Sequence, residues 1–134
     1  MKKDIQFLPV ENVLISVAKK DNDSESPEWQ VFLINRNDKS LETVMVTSKG
    51  YGEKDGEEQK TSTLRHVIPA IEPGEYALIE PIQPEVFHLN NEYWVSYFID
   101  GQVYDKKFIF VPETIKEENL IEIKELGLMG VLHV

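Results

Sequence analysis

Residues 93–99 and 102–110 form two aromatic-rich runs that meet at Asp100-Gly101. A two-residue loop joins antiparallel strands without splaying them when both central residues take φ > 0, and Asp-Gly is among the few pairs that accept this. The first run carries Tyr93, Trp94, Tyr97 and Phe98, and the second carries Tyr104, Phe108 and Phe110. Side chains of this kind pack well on a pleated surface. The hairpin predicts an all-β chain.

The remaining segments agree with it. A short strand is expected at 5–10, where Pro9 marks an edge, and another at 12–19. Residues 29–35 place Trp29, Val31 and Leu33 on one face, with Phe32 and Ile34 on the other. Residues 41–48 alternate similarly, and Gly50-Tyr51-Gly52 is expected to break that strand at a bulge or bend. The charged tip 53–59 contains a second turn dipeptide, Asp55-Gly56. A polar strand is expected at 61–68, a type II turn at 72–75 around Pro73-Gly74, and a strand at 76–80. Thr114 and Glu117 match a helix capping box, but 117–126 fits either period. A single helical turn is expected there, followed by a last strand at 128–134. Seven or more short strands, with turn signals every 8–12 residues or so, predict a β-sandwich. The immunoglobulin-like antiparallel arrangement is the first choice, with Trp29 as its buried aromatic and the 93–110 hairpin packed across from it. A small β-barrel is the alternative.

The chain has 134 residues, which fits one domain over 1–134. It has no cysteine, so disulfides, thiolate metal sites and thiol nucleophiles are absent. No apolar stretch follows Lys2 and Lys3 as in a signal peptide, and no apolar run is long enough for a membrane span. The cytoplasm is the expected location, and the Asn22 sequon is read as a chance match. Net charge is -10, and the only arginines are Arg36 and Arg65. That balance opposes contact with phosphates and hence with nucleic acid.

No residue pattern carries catalytic chemistry. His66, His88 and His133 lack metal-ligand spacing. Asp21, Asp23 and Glu25 alternate as in a calcium loop, but Ser26 stands where its glycine belongs and Phe32 where its glutamate belongs. The glycines form no phosphate-binding loop, and there is no nucleophile elbow. No cofactor is expected. The expectation is therefore a non-catalytic binding module with a protein partner, its oligomeric state open. Arg65 and His66 form the basic spot of the 61–68 strand. If that strand is a sheet edge, its free amides and Arg65 would receive an acidic or extended partner, with Tyr51 beside it as an anchor. The competing structural reading pairs Arg65 with Glu57 or Glu58. Lys106 and Lys107 are read as protection of an edge strand. Two alternatives stand beside this. A small-molecule carrier needs a cavity lined by residues such as Trp94, Phe98 and Phe108. A small enzyme needs His66 or His88 beside two carboxylates in a cleft.

Over most of its length the chain also resembles a group of short uncharacterised bacterial proteins. The likeness rests on residues 31–35 (VFLIN) with Asp38 and Lys39, and on 41–46 (LETVMV), 60–66 (KTSTLRH), 87–94 (FHLNNEYW) and 106–110 (KKFIF). Such chains are often labelled automatically as a phenylalanyl-tRNA synthetase alpha subunit. The residues oppose that label. A class II synthetase core needs an antiparallel sheet with flanking helices, an arginine on the ATP α-phosphate and a glycine-rich strand ending in a second arginine. This chain is too short for that core, and neither Arg36 nor Arg65 stands in such a motif. The resemblance implies a family, and no activity.

Overall fold

The computed structural model describes residues 8–20 and 28–133. Ten strands follow one another: β1 (Val13–Lys20), β2 (Glu28–Asn35), β3 (Leu41–Lys54), β4 (Glu57–Lys60), β5 (Leu64–Ile71), β6 (Tyr76–Ile82), β7 (Asn90–Ile99), β8 (Gln102–Phe110), β9 (Ile121–Ile123) and β10 (Leu128–His133). Single 3-10 turns at Pro84–Val86 and Glu117–Asn119 are the helical elements among the described residues. The first sheet has the order β6-β2-β1-β10-β9. In the second, β7 and then β8 lie on one side of β3, and β4 and β5 share its other side. Neither sheet closes on itself, so the fold is the expected all-β sandwich rather than the barrel.

Alternation builds the core. Val13, Ile15 and Val17 of β1 and Trp29, Val31 and Leu33 of β2 meet Val44, Val46, Tyr93, Val95, Phe108 and Phe110 from the second sheet, all buried in one cluster. Trp29 sits in it edge-on to Phe87, with ring centroids 5.2 Å apart. The opposite face of the first sheet is covered too. Leu14, Ile34 and Ile123 are buried there against Leu126 and Leu132. The turn after β9 is tied down by Arg36, whose Nε and Nη2 donate to Glu125 at 2.6 and 3.1 Å.

Both Asp-Gly pairs take the expected turn. Asp100 and Gly101 have φ of 49° and 76°, and Asp55 and Gly56 have 54° and 79°. At the Pro73-Gly74 turn the Glu75 amide donates to the Glu72 carbonyl at 3.0 Å, with Gly74 at φ 76°.

Other expectations shift. β3 is not broken at Gly50-Tyr51-Gly52 but runs on to Lys54. The glycines serve close approach instead. A Cβ on Gly50 would lie 3.0 Å from Thr61 Cγ2, and one on Gly52 would lie 3.2 Å from Leu89 Cδ2. The irregularity of β3 falls at Thr43, whose φ is 47°. Thr43 stands opposite Pro69, between the Glu42–Ala70 and Val44–Ile68 pairs. The register that shifts there is that of β3 with β7, between Glu42 and Met45, while the β3–β5 register is kept. β5 spans Leu64–Ile71 rather than 61–68. The capping box does not form. The 3-10 turn Glu117–Asn119 starts from Lys116 with no side-chain cap, and the Thr114 carbonyl accepts from Asn119 Nδ2 at 2.8 Å. Of the strand expected at 5–10, the described part makes one parallel bridge, Leu8 to Tyr104. The calcium-like loop and the sequon lie outside the described residues.

Candidate functional site

Among the described residues β5 pairs with β3 alone, which makes it an edge strand of the second sheet. Alternate residues of β5 turn their amides away from β3, and Pro69 limits donation to the stretch before it. With Val44 and Val46 buried in the core, Met45 and Thr47 face outward. Two rows therefore cross the outer face. Arg65, Thr47, Trp94 and Lys107 form one, and Val67, Met45, Ser96 and Asp105 form the next. Trp94, Met45 and Val67 are 44%, 45% and 68% exposed, a large apolar share for a sheet surface. They surround a shallow concavity of about 330 Å³ that also includes Arg65 and Asp105. Trp94 is held in place. Its Nε1 donates to Asp105 Oδ1 at 2.7 Å, and Lys107 Nζ stands 4.7 Å from its ring centroid. Arg65 is exposed and pairs with no carboxylate among the described residues; the contact with Glu57 or Glu58 of the competing structural reading is not made.

Tyr51 shares this outer face but stands four residues along β3 from Thr47, about 13 Å away. It is half-buried, and its hydroxyl donates to Glu92 Oε1 at 3.3 Å. Lys49 Nζ lies 5.8 Å from its ring centroid and 3.8 Å from Glu92 Oε2. Burial, and then the Glu92 charge, push its pKa above the ordinary tyrosine value.

His66 does not join Arg65 in one basic spot. Neighbours in a strand face opposite ways, and His66 points inward. Its Nε2 lies 2.7 Å from Glu80 Oε1, and Ser48 Oγ donates to that same oxygen at 2.5 Å. Glu80 belongs to β6, the edge of the first sheet, so the three residues bridge the two layers at the rim of the sandwich. A pocket of about 420 Å³ opens beside them, lined by Ser48, Gly50, Thr61, Glu80, Ile82 and Tyr93 among others. Tyr93 is buried, and desolvation, followed by the Glu80 charge, drives its pKa far above the ordinary value. The carboxylate stands in the middle of this trio. In a nucleophilic triad the imidazole holds that place, touching the hydroxyl it activates.

The other candidates disperse. His88 Nε2 is 2.7 Å from Gln59 Oε1, while His133 packs edge-on to Phe108 and Phe110 at 5.3 and 5.5 Å. Among the described residues no group of three His, Asp or Glu is placed to hold a metal ion. Trp94 and Phe98 alternate to the outer face and Phe108 to the core, so these three line no common lumen. Ser48 and Glu80 stand in no motif of the sequence, and Tyr93 is read there only as one of the hairpin aromatics. The available signal was Glu80, an acid inside the otherwise apolar 76–82 run.

The fold defines the class, an all-β sandwich. No protein-family model matches the chain, and no curated protein matches it. Among the described residues no helix is long and apolar enough to cross a membrane.

Proposed function

We propose that this chain is a non-catalytic protein-binding module. It docks an extended, carboxylate-bearing segment of a partner along the β5 edge and the adjoining outer face. The observation that carries this reading is Arg65, a cation on an edge strand with no carboxylate partner among the described residues, beside exposed Met45, Val67 and Trp94. Main-chain pairing with β5 would supply affinity, and the apolar concavity and guanidinium would supply selectivity. Tyr51, tied to Glu92, supports the face rather than anchoring the partner.

Affinity capture with crosslinking tests it. The native chain should yield one reproducible partner crosslinked at Lys49, Lys54 or Lys60, and Arg65→Glu should lose that partner at unchanged melting temperature. Self-crosslinks alone, or capture unaffected by the substitution, would sink the reading. The proposal includes a cytoplasmic location, supported by the lack of cysteine, and a partner other than nucleic acid, supported by the net charge of -10. It treats the synthetase label as an error. An immunoglobulin-like arrangement is supported by two packed antiparallel sheets around Trp29. The interior place of β1 departs from it, since the first immunoglobulin strand lies at an edge.

A further inference from the structure

The rim pocket is independent of the docking face, because it opens on the inner side of β3 and β5 rather than the outer. Its existence follows from strand lengths. β3 is longer than either β4 or β5, and residues 61–63 cross the gap between them. Gly50 stands at that gap. Its amide donates to Thr61 Oγ1 at 2.7 Å, and its carbonyl accepts from the Thr61 amide at 2.8 Å. The rim is thus hydrogen-bonded in place beside the opening.

Two polar groups in the pocket lack partners. Tyr93 is 2% exposed, yet its hydroxyl makes no hydrogen bond among the described residues. Glu80 uses Oε1 for both Ser48 and His66, and its Oε2 has no partner among them. The buried side-chain polar atom without a partner among the described residues is Ser16 Oγ, so the Tyr93 hydroxyl and Glu80 Oε2 are not sealed in and stand open to water or to a ligand in the pocket. Leu64, Ile82 and Val86 give the wall an apolar part, beside Thr61, Ser62, Gln83 and Asn91. Lys49 contributes backbone on this side, but its ammonium is on the outer face near Glu92. Among the described residues the Glu80 carboxylate meets His66 at Oε1 and no lysine or arginine, in a chain of net charge -10. Anions are disfavoured there and a hydrogen-bonding cation is favoured.

We propose that this pocket binds a small organic cation, a primary ammonium on a short aliphatic body. The ammonium donates to Glu80 Oε2 and to the Tyr93 hydroxyl, and the aliphatic part lies on Ile82 and Val86. About 420 Å³ is toward the small end of ligand pockets.

Amide NMR with three probes of one shape tests this: n-butylammonium, 1-butanol and butyrate. The expected result is a saturable shift of the Gly50, Ile82 and Tyr93 amides with butylammonium, affinity at least about tenfold weaker for the alcohol, and no binding of butyrate. Glu80→Gln, which keeps an oxygen for Ser48 and His66, should weaken the ammonium by a similar factor, and Tyr93→Phe should also weaken it. No saturable shift, equal affinity for the alcohol, or an unchanged Glu80→Gln variant overturns the proposal. If Glu80→Gln fails to fold, the ammonium–alcohol comparison on the native chain decides alone.

Discussion

Arg65 and His66 adjoin in the chain and serve opposite faces of the second sheet. Arg65 stands on the solvent side in the row of Trp94 and Lys107, and the ring of His66 lies between the layers, 2.7 Å from Glu80. One edge strand thus contributes to two surfaces, and the two should respond separately to substitution. Arg65→Ala should change stability by no more than about 0.5 kcal/mol, as for an exposed surface residue. His66→Ala removes a hydrogen bond to a partly buried carboxylate and should cost about 1–2 kcal/mol. Urea unfolding of both variants checks this, and an Arg65→Ala cost equal to that of His66→Ala would refute the division.

The Asp100-Gly101 turn makes a conformational prediction. Gly101 holds φ 76°, with open space where a side chain would go. Gly101→Ala should therefore destabilise by about 1–2 kcal/mol through backbone strain alone, and Asp100→Asn should be close to neutral because Asn accepts the same region. Thermal melts of the pair separate strain from lost packing.

Alkaline pH should weaken the fold. Burial raises the pKa of Tyr93, with Glu80 adding to it, and raises that of Tyr97, with Tyr104 adding to it. An unfolded tyrosine ionises near 10.0, before the native one does. The stabilisation is complete below that pH and is lost as pH rises from there toward the native values. Denaturation midpoints from pH 8 upward should fall beyond about pH 10, and Tyr93→Phe should flatten the decline.

The acid side rests partly on Glu125. Its hydrogen bonds from Arg36 are the main reason its pKa lies below the ordinary value of 4.5. A lowered pKa stabilises above 4.5, and the gain disappears as pH drops through the native value. The Arg36 side chain is 40% exposed, so solvent screening holds the pair to less than about 1 kcal/mol. Glu125→Gln should show that small deficit at neutral pH and none in strong acid, read from melting curves across the range.

What was legible in the sequence was local. Asp55-Gly56, Pro73-Gly74 and Asp100-Gly101 declare their turns because φ is a property of a few adjacent residues. Trp29 and its period-two neighbours declare their shared face. Gly50 and Gly52 were visible, but their role depends on Thr61 and Leu89, which approach from other elements. The division of Arg65 from His66 follows from strand alternation and was within reach once 64–71 is read as a strand. The meeting of Ser48 with Glu80 was not, since no local rule tells which rim of one layer lies over which rim of the other.

The place of β1 matters before the protein is finished. Ile15 faces Leu33 on one side and His133 on the other. Synthesis runs from the N-terminus, so the ribosome releases the β1–β2 hairpin long before β10 emerges. During that interval one flank of a largely buried strand is bare. Until residues 128–133 are made, the backbone groups of that flank have no β10 to pair with and depend on water.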